Sequence, residues 1–271
     1  ASIEIYRLLG RLTLSGSEDP VLLDKSARAL REVLNRLPDD VEALTGLQKL
    51  HRLRGDWAEL VNVLQKLLRV DGSPLSSGER LTAAIELSEV YSQHMNDPKQ
   101  AAALLEKVQA ELPIVDLRVH RHLRGLYEEM GDYVQAARAA ERELLLTEDP
   151  LLRMERALEL ATLFRTRAKD RGRAILSYER LLRLYAELPF DSLDPASAGS
   201  ARLLVMQALE ALSQRFVESG QWAEVILLGQ RRLELVLEQG EIVPGAQILL
   251  SLAQVYEEKF HGARERFKLR Q

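Results

Sequence analysis

The chain has 271 residues, 46% hydrophobic and 29% charged, with a net charge of -4 and a pI near 5.9. That balance supports a buried core and argues against a surface-wide binder of nucleic acid or anionic membrane. Cysteine is absent, which excludes disulfides, thiolate metal sites and cysteine nucleophiles. Leu, Ala, Glu and Arg dominate and aromatics make up only 5%, so the composition leans helical. No apolar run approaches the roughly 20 residues that span a bilayer, and no signal-peptide pattern opens the chain. The chain starts Ala1-Ser2-Ile3 without Met, which predicts a piece of a longer protein. The cytoplasm is the expected compartment, with the periplasm left open.

In chain order, Ile5, Leu8, Leu9 and Leu12 give helical spacing over residues 3–14. Ser15-Gly16-Ser17 breaks it, and Asp19-Pro20 starts a helix that stops at Pro38. Asp39-Asp40 begins the next, with Leu44, Leu47 and Leu50 on one face, ending at Gly55. Its partner starts at Asp56 and carries Leu60, Val63, Leu64, Leu67 and Leu68. After the 71–74 loop, Ser76-Ser77-Gly78-Glu79 has capping-box spacing. A helix with Leu81, Ile85, Leu87 and Tyr91 follows, then an Asp97-Pro98 start that runs to Pro113. Asp116, Asp132, Asp149-Pro150 and Asp170 open the next four helices. Residues 186–200 are read as a long loop, either a plain connection or a hinge or partner-binding insert. Helices from Ala201 to Glu218 and from Trp222 to Glu238 follow. A last one starts at Pro244, before a basic tail of Lys259, Arg264, Arg266, Lys268 and Arg270. No period-two strand pattern stands out, so the fold class is all-α.

The turns between these helices recur. Arg54-Gly55-Asp56-Trp57, Met130-Gly131-Asp132-Tyr133 and Ser219-Gly220-Gln221-Trp222 each place glycine, a polar residue and a large aromatic between amphipathic segments. Four residues before each glycine stand His51, Tyr127 and Phe216. Two other units use a turn one residue longer: Tyr91 to Asp97 to Ala101 parallels Phe164 to Asp170 to Ala174. The two kinds alternate through about six to seven hairpins, the last truncated.

This pattern resembles the tetratricopeptide repeat, a helix–turn–helix of about 34 residues. The resemblance covers nearly the whole chain, 1–271, and implies one helical-hairpin solenoid, a right-handed α-α superhelix. Gln48 and Arg124 depart from the small residue that the family prefers in the first helix. Ala101, Ala136 and Ala174 are expected to let paired helices approach. Trp57, Tyr133 and Trp222 are expected to fill the wedge between repeats, so that Trp57→Ala costs about 3–5 kcal/mol.

No catalytic constellation emerges. There is no H-E-x-x-H, P-loop, nucleophile elbow or dinucleotide fingerprint. His120 and His122 are two residues apart on a helix and cannot share a metal. Glu128-Glu129 and Glu257-Glu258 read as solvated helix faces. An enzyme is therefore not expected, nor is a cofactor or a metal. In the resembling family the first helices line a groove that holds a partner. Residues outside the buried stripe put Lys49, Arg52, Arg118, Arg121 and Arg165 near that face, either as a carboxylate-gripping ledge or as ordinary solubilising charges. The family's Asn-based carboxylate clamp is absent. The expected function is a non-catalytic scaffold that binds a partner protein or peptide on its concave surface. The alternative is a peptide-sensing regulatory domain that controls an attached effector. An RNA-binding repeat protein is disfavoured by the net acidity, and the oligomeric state is left open.

Overall fold

The computed structural model describes residues 3–8, 20–69, 75–112, 115–240 and 242–261. Every regular element among them is helical. Residues 3–8 form a short turn of helix. The main helices are α1 (Pro20–Arg36), α2 (Val41–Arg54), α3 (Trp57–Arg69), α4 (Ser77–Gln93), α5 (Pro98–Glu111) and α6 (Leu117–Glu129). They continue with α7 (Tyr133–Leu146), α8 (Pro150–Thr166), α9 (Arg171–Ala186), α10 (Pro195–Glu218), α11 (Trp222–Leu237) and α12 (Ile242–Val255), then a π-helical turn at Tyr256–His261. Two compact units are present, Ala1–Ala139 and Ala140–Gln271, dividing inside α7. The basic tail beyond 261, the 71–74 loop and residues 9–14 lie outside the described residues.

Helix starts follow the chemistry of the sequence. Asp97, Asp149 and Asp194 precede proline at the first helical position and accept a bond from a backbone N–H of the first turn. Ser76 and Glu79 close a full capping box. Asp40, Asp116 and Asp170 cap in the same way.

The two turn types have distinct hydrogen bonding. In the glycine type, the residue after glycine donates its N–H five residues back, from Asp56 to His51, Asp132 to Tyr127 and Gln221 to Phe216, at 2.9–3.0 Å. Gly55, Gly131 and Gly220 sit at φ between 69° and 74°, a region that a Cβ disfavours. In the longer type the bond spans six residues, from Asp97 to Tyr91 and Asp170 to Phe164, both 2.9 Å. The left-handed position there is taken by Asn96 at φ 53° and Lys169 at φ 54°. The pre-turn aromatic is therefore also the residue whose carbonyl ends its helix.

In the first unit α1 to α6 pack each on its neighbour in sequence, and α4 also meets α6. The core runs from Leu30 and Val33 through Leu44, Leu60, Leu64, Leu81, Leu87, Leu105 and Leu123. In the second unit α8 packs on both α9 and α10 and buries Met154, Ala157, Leu160 and Phe164. Ala101, Ala136 and Ala174 are buried, as expected for close helix pairs. Between α11 and α12 the approach is tighter still, because a Cβ on Gly229 would lie 2.5 Å from Leu252 Cδ2.

Three expectations are corrected. The wedge aromatics Trp57, Tyr133 and Trp222 are only half-buried. Each tryptophan lies against a polar group: Trp57 stacks on His94 with centroids 3.6 Å apart, and Lys259 Nζ stands 4.8 Å over the Trp222 ring. The irregular stretch placed at 186–200 is shorter, since α10 begins at Pro195 and only 187–194 lies between helices, with a 3-10 turn at Phe190–Ser192. The physical reason is the Asp194-Pro195 start, the same cap that opens α5 and α8. Finally, α12 begins at Ile242, two residues before Pro244.

Candidate functional site

The first helices of the first unit, α2, α4 and α6, enclose a groove of about 490 Å³. Its lining includes Thr45 and Gln48 from α2, Leu67 from α3, Leu75 before α4, Glu79, Thr82 and Ala83 from α4, and Arg118 from α6. At about 100° per residue, Thr45, Gln48, Lys49 and Arg52 fall on one stripe of α2. Thr82, Glu86 and Glu89 fall on one stripe of α4, and Arg118, Arg121 and His122 on one of α6.

These stripes are cross-linked from repeat to repeat. Arg52 Nε donates to Glu86 Oε1 at 2.7 Å, and Gln48 Nε2 donates to the other Glu86 oxygen. His122 Nε2 lies 3.4 Å from Glu89 Oε1. Ser92 donates to Glu129 at 3.0 Å. Glu86 keeps only 12% of its side-chain exposure, so its two donors do much of the work of solvating it.

Of the five basic residues read from the sequence, all are exposed. Arg118 lines the groove but folds back on its own cap: Nη2 donates to Asp116 Oδ2 at 2.8 Å and Nε to Oδ1 at 3.1 Å. This fork holds the Asp116 carboxyl below the usual range, chiefly through the side-chain hydrogen bond. Arg52 is committed to Glu86, and Lys49 makes no ion pair among the described residues. Arg121 stands one turn beyond Arg118, and Arg165 lies in the last turn of α8 in the second unit. The stripe is thus a ladder of both signs.

Sequence reasoning missed Glu86 and Glu89. The signal for Glu86 was there: Arg52 and Glu86 are 34 residues apart, one repeat length, so opposite charges at the repeat period mark neighbouring first helices.

Among the described residues, no group of three His, Asp or Glu side chains is placed to hold a metal ion. No described helix is long and apolar enough to cross a membrane.

Known proteins were compared with this chain. No curated protein matches it. Among solved structures, MamA is similar at 19% identity over 71% of this chain and 97% of that one, with a TM-score of 0.49. MamA from Desulfovibrio magneticus RS-1 gives 20% identity over 69% and 97%, with a TM-score of 0.45. The apo form of RapI gives 11% identity over 95% and 98%, with a TM-score of 0.46. The tetratricopeptide repeat family model matches residues 43–76 and 119–154. Those segments hold the Gly55 and Gly131 turns, each with its left-handed glycine and its five-residue closing bond. On both the sequence match and the hairpin geometry, residues 43–76 and 119–154 of this chain are tetratricopeptide repeats.

Proposed function

We propose that this chain is a non-catalytic interaction scaffold that holds a segment of a partner protein in the first-helix groove of its first unit. Repeats of this kind present extended first-helix surfaces and act as interaction scaffolds in general. The observation that carries this reading is the groove of about 490 Å³ between α2, α4 and α6, lined by the apolar Leu67, Leu75 and Ala83 together with the polar Thr45, Gln48, Thr82, Glu79 and Arg118. Its mixed sign favours a peptide. On the stripes that run past the groove, Lys49 offers a donor to carboxylates and backbone carbonyls, while Glu89 accepts from amides and cations. The same carboxylate disfavours a phosphate backbone.

The test is capture of a partner from source lysate with the whole chain as bait, beside Thr82→Trp and Lys49→Glu. Thr82 is exposed on the groove wall, so a tryptophan there fills the groove without entering the core. A partner held by the parent chain and lost by Thr82→Trp, at equal helicity, is the expected result. Undiminished capture by Thr82→Trp overturns the groove assignment.

A further inference from the structure

A second cavity, of about 330 Å³, opens on another face of α4, between α3 and α5. Its apolar lining is Leu68, Leu87, Leu104, Val108 and Leu112. At about 100° per residue, its α4 residues Arg80, Leu87 and Tyr91 sit about 100–180° around the helix from Thr82 and Glu86, so the cavity is separate from the groove.

Three features define what it accepts. First, its rim carries Arg69, Arg80 and Lys107 against a single carboxylate, Glu111. The chain as a whole is the reverse, with 37 basic and 41 acidic residues. Lys107 lies 3.8 Å from Glu111 Oε1, a loose pair, while Arg69 and Arg80 meet no carboxylate among the described residues. Second, Arg80 is pinned, because its Nη2 donates to the Leu68 carbonyl at 3.2 Å. Third, Tyr91 is 6% exposed and its hydroxyl accepts from Gln65 Nε2 at 2.6 Å, leaving its own O–H with no acceptor among the described residues. An apolar floor, a buried donor and a positive rim suit a ligand that is apolar at its centre and anionic at its edges.

We infer that the cavity formed by α3, α4 and α5 is a second docking site, for a partner-protein peptide that presents a large apolar side chain flanked by carboxylates. The apolar side chain enters between Leu87, Leu104 and Val108. The flanking carboxylates meet Arg69, Arg80 and Lys107 in charge-assisted bonds, and a peptide carbonyl accepts a hydrogen bond from the Tyr91 O–H. The site is independent of the first-helix groove.

The probe is a fluorescein-labelled peptide, Glu-Asp-Leu-Phe-Asp-Glu, read by anisotropy on the whole chain, with Lys-Lys-Leu-Phe-Lys-Lys as its charge-reversed control. The acidic peptide should bind with a Kd of about 10 µM to 1 mM, the range open to a short segment, and the basic one more weakly by about tenfold or more. The double substitution Arg69→Glu/Lys107→Glu, on two exposed side chains, should weaken it about tenfold. Ala103→Trp, which blocks the mouth from an exposed position, should abolish binding, and Thr82→Trp should leave it unchanged. Tyr91→Phe, which keeps the ring, should weaken binding severalfold. Equal binding of both peptides, indifference to the charge reversal, loss in Thr82→Trp, or no binding at millimolar peptide would each overturn the inference. Because Thr82→Trp probes only the groove and Ala103→Trp only this cavity, failure of one reading is distinguishable from failure of the other.

Discussion

At the left-handed position of the two turn types, opposite substitutions should have opposite effects. Gly131 sits at φ 74° with no atom within 4 Å of a built Cβ, so Gly131→Ala tests backbone conformation free of any clash. A left-handed L-residue costs about 1–2 kcal/mol. Alanine recovers about 0.4–1 kcal/mol by restricting the unfolded chain. The net is a local destabilisation of about 1 kcal/mol. Lys169 holds the equivalent place in the longer turn at φ 54°, so Lys169→Gly runs the same terms backwards and should stabilise by about 0.5–1 kcal/mol. Repeat arrays open locally, so a global melt blurs effects of this size. The assay is native-state hydrogen exchange at the two closing amides, Asp132 bonded to Tyr127 O and Asp170 bonded to Phe164 O, both at 2.9 Å. Protection at Asp132 should fall about fivefold in Gly131→Ala, and protection at Asp170 should rise about two- to fivefold in Lys169→Gly. Shifts of the same sign in both variants, or faster exchange at Asp170 in Lys169→Gly, would refute the reasoning.

Trp57→Ala should cost about 2–3 kcal/mol in urea unfolding, less than a fully buried ring, because Trp57 is half-buried and adds a stacked contact with His94. His94→Ala should reproduce only the stacking share of that loss. In the second unit, Glu143 is fully buried with Arg156 Nε 3.4 Å from its carboxylate, so Arg156→Ala should cost about 3 kcal/mol and Arg156→Met/Glu143→Gln much less. Stability should also fall in acid. Asp116 is held low chiefly by Arg118, Asp194 by the Ser197 hydroxyl, and Glu79 by the Ser76 backbone N–H. With folded values below the unfolded ones, their contribution is whole above about pH 4.5 and is lost as the pH falls through the folded values. Urea midpoints measured from about pH 5 down to about pH 2.5 should therefore decline, and less steeply in Asp194→Asn, which keeps the cap but cannot titrate.

Much of the fold was legible because turn chemistry is local. The spacing from Tyr127 through Gly131 to Tyr133 contains the closing bond, the left-handed residue and the next helix in seven positions. The two turn lengths were readable from Tyr91 to Asp97 against His51 to Asp56, and the structure supplies the reason, a six-residue against a five-residue closure. What the sequence concealed depends on neighbouring repeats. The burial of Trp57 is set by how the end of α4 brings His94 against it. The charge of the groove is set by Glu86, which answers Arg52 from the next hairpin, so a residue-by-residue count of cations overstated the ledge. Asp194-Pro195 was readable as a helix start on the precedent of Asp97-Pro98, but the small residues after it, Ala196 to Ser200, resemble a linker in composition.

Photo-crosslinking of the captured partner tests the scaffold claim most directly, with p-benzoylphenylalanine placed in turn at Thr82, at Lys49 and, as a control, at Leu203, an exposed position on α10 in the second unit. The account predicts one covalent partner adduct from the groove positions 82 and 49 and none from 203. Adducts from 203 with none from 82 and 49 would contradict it.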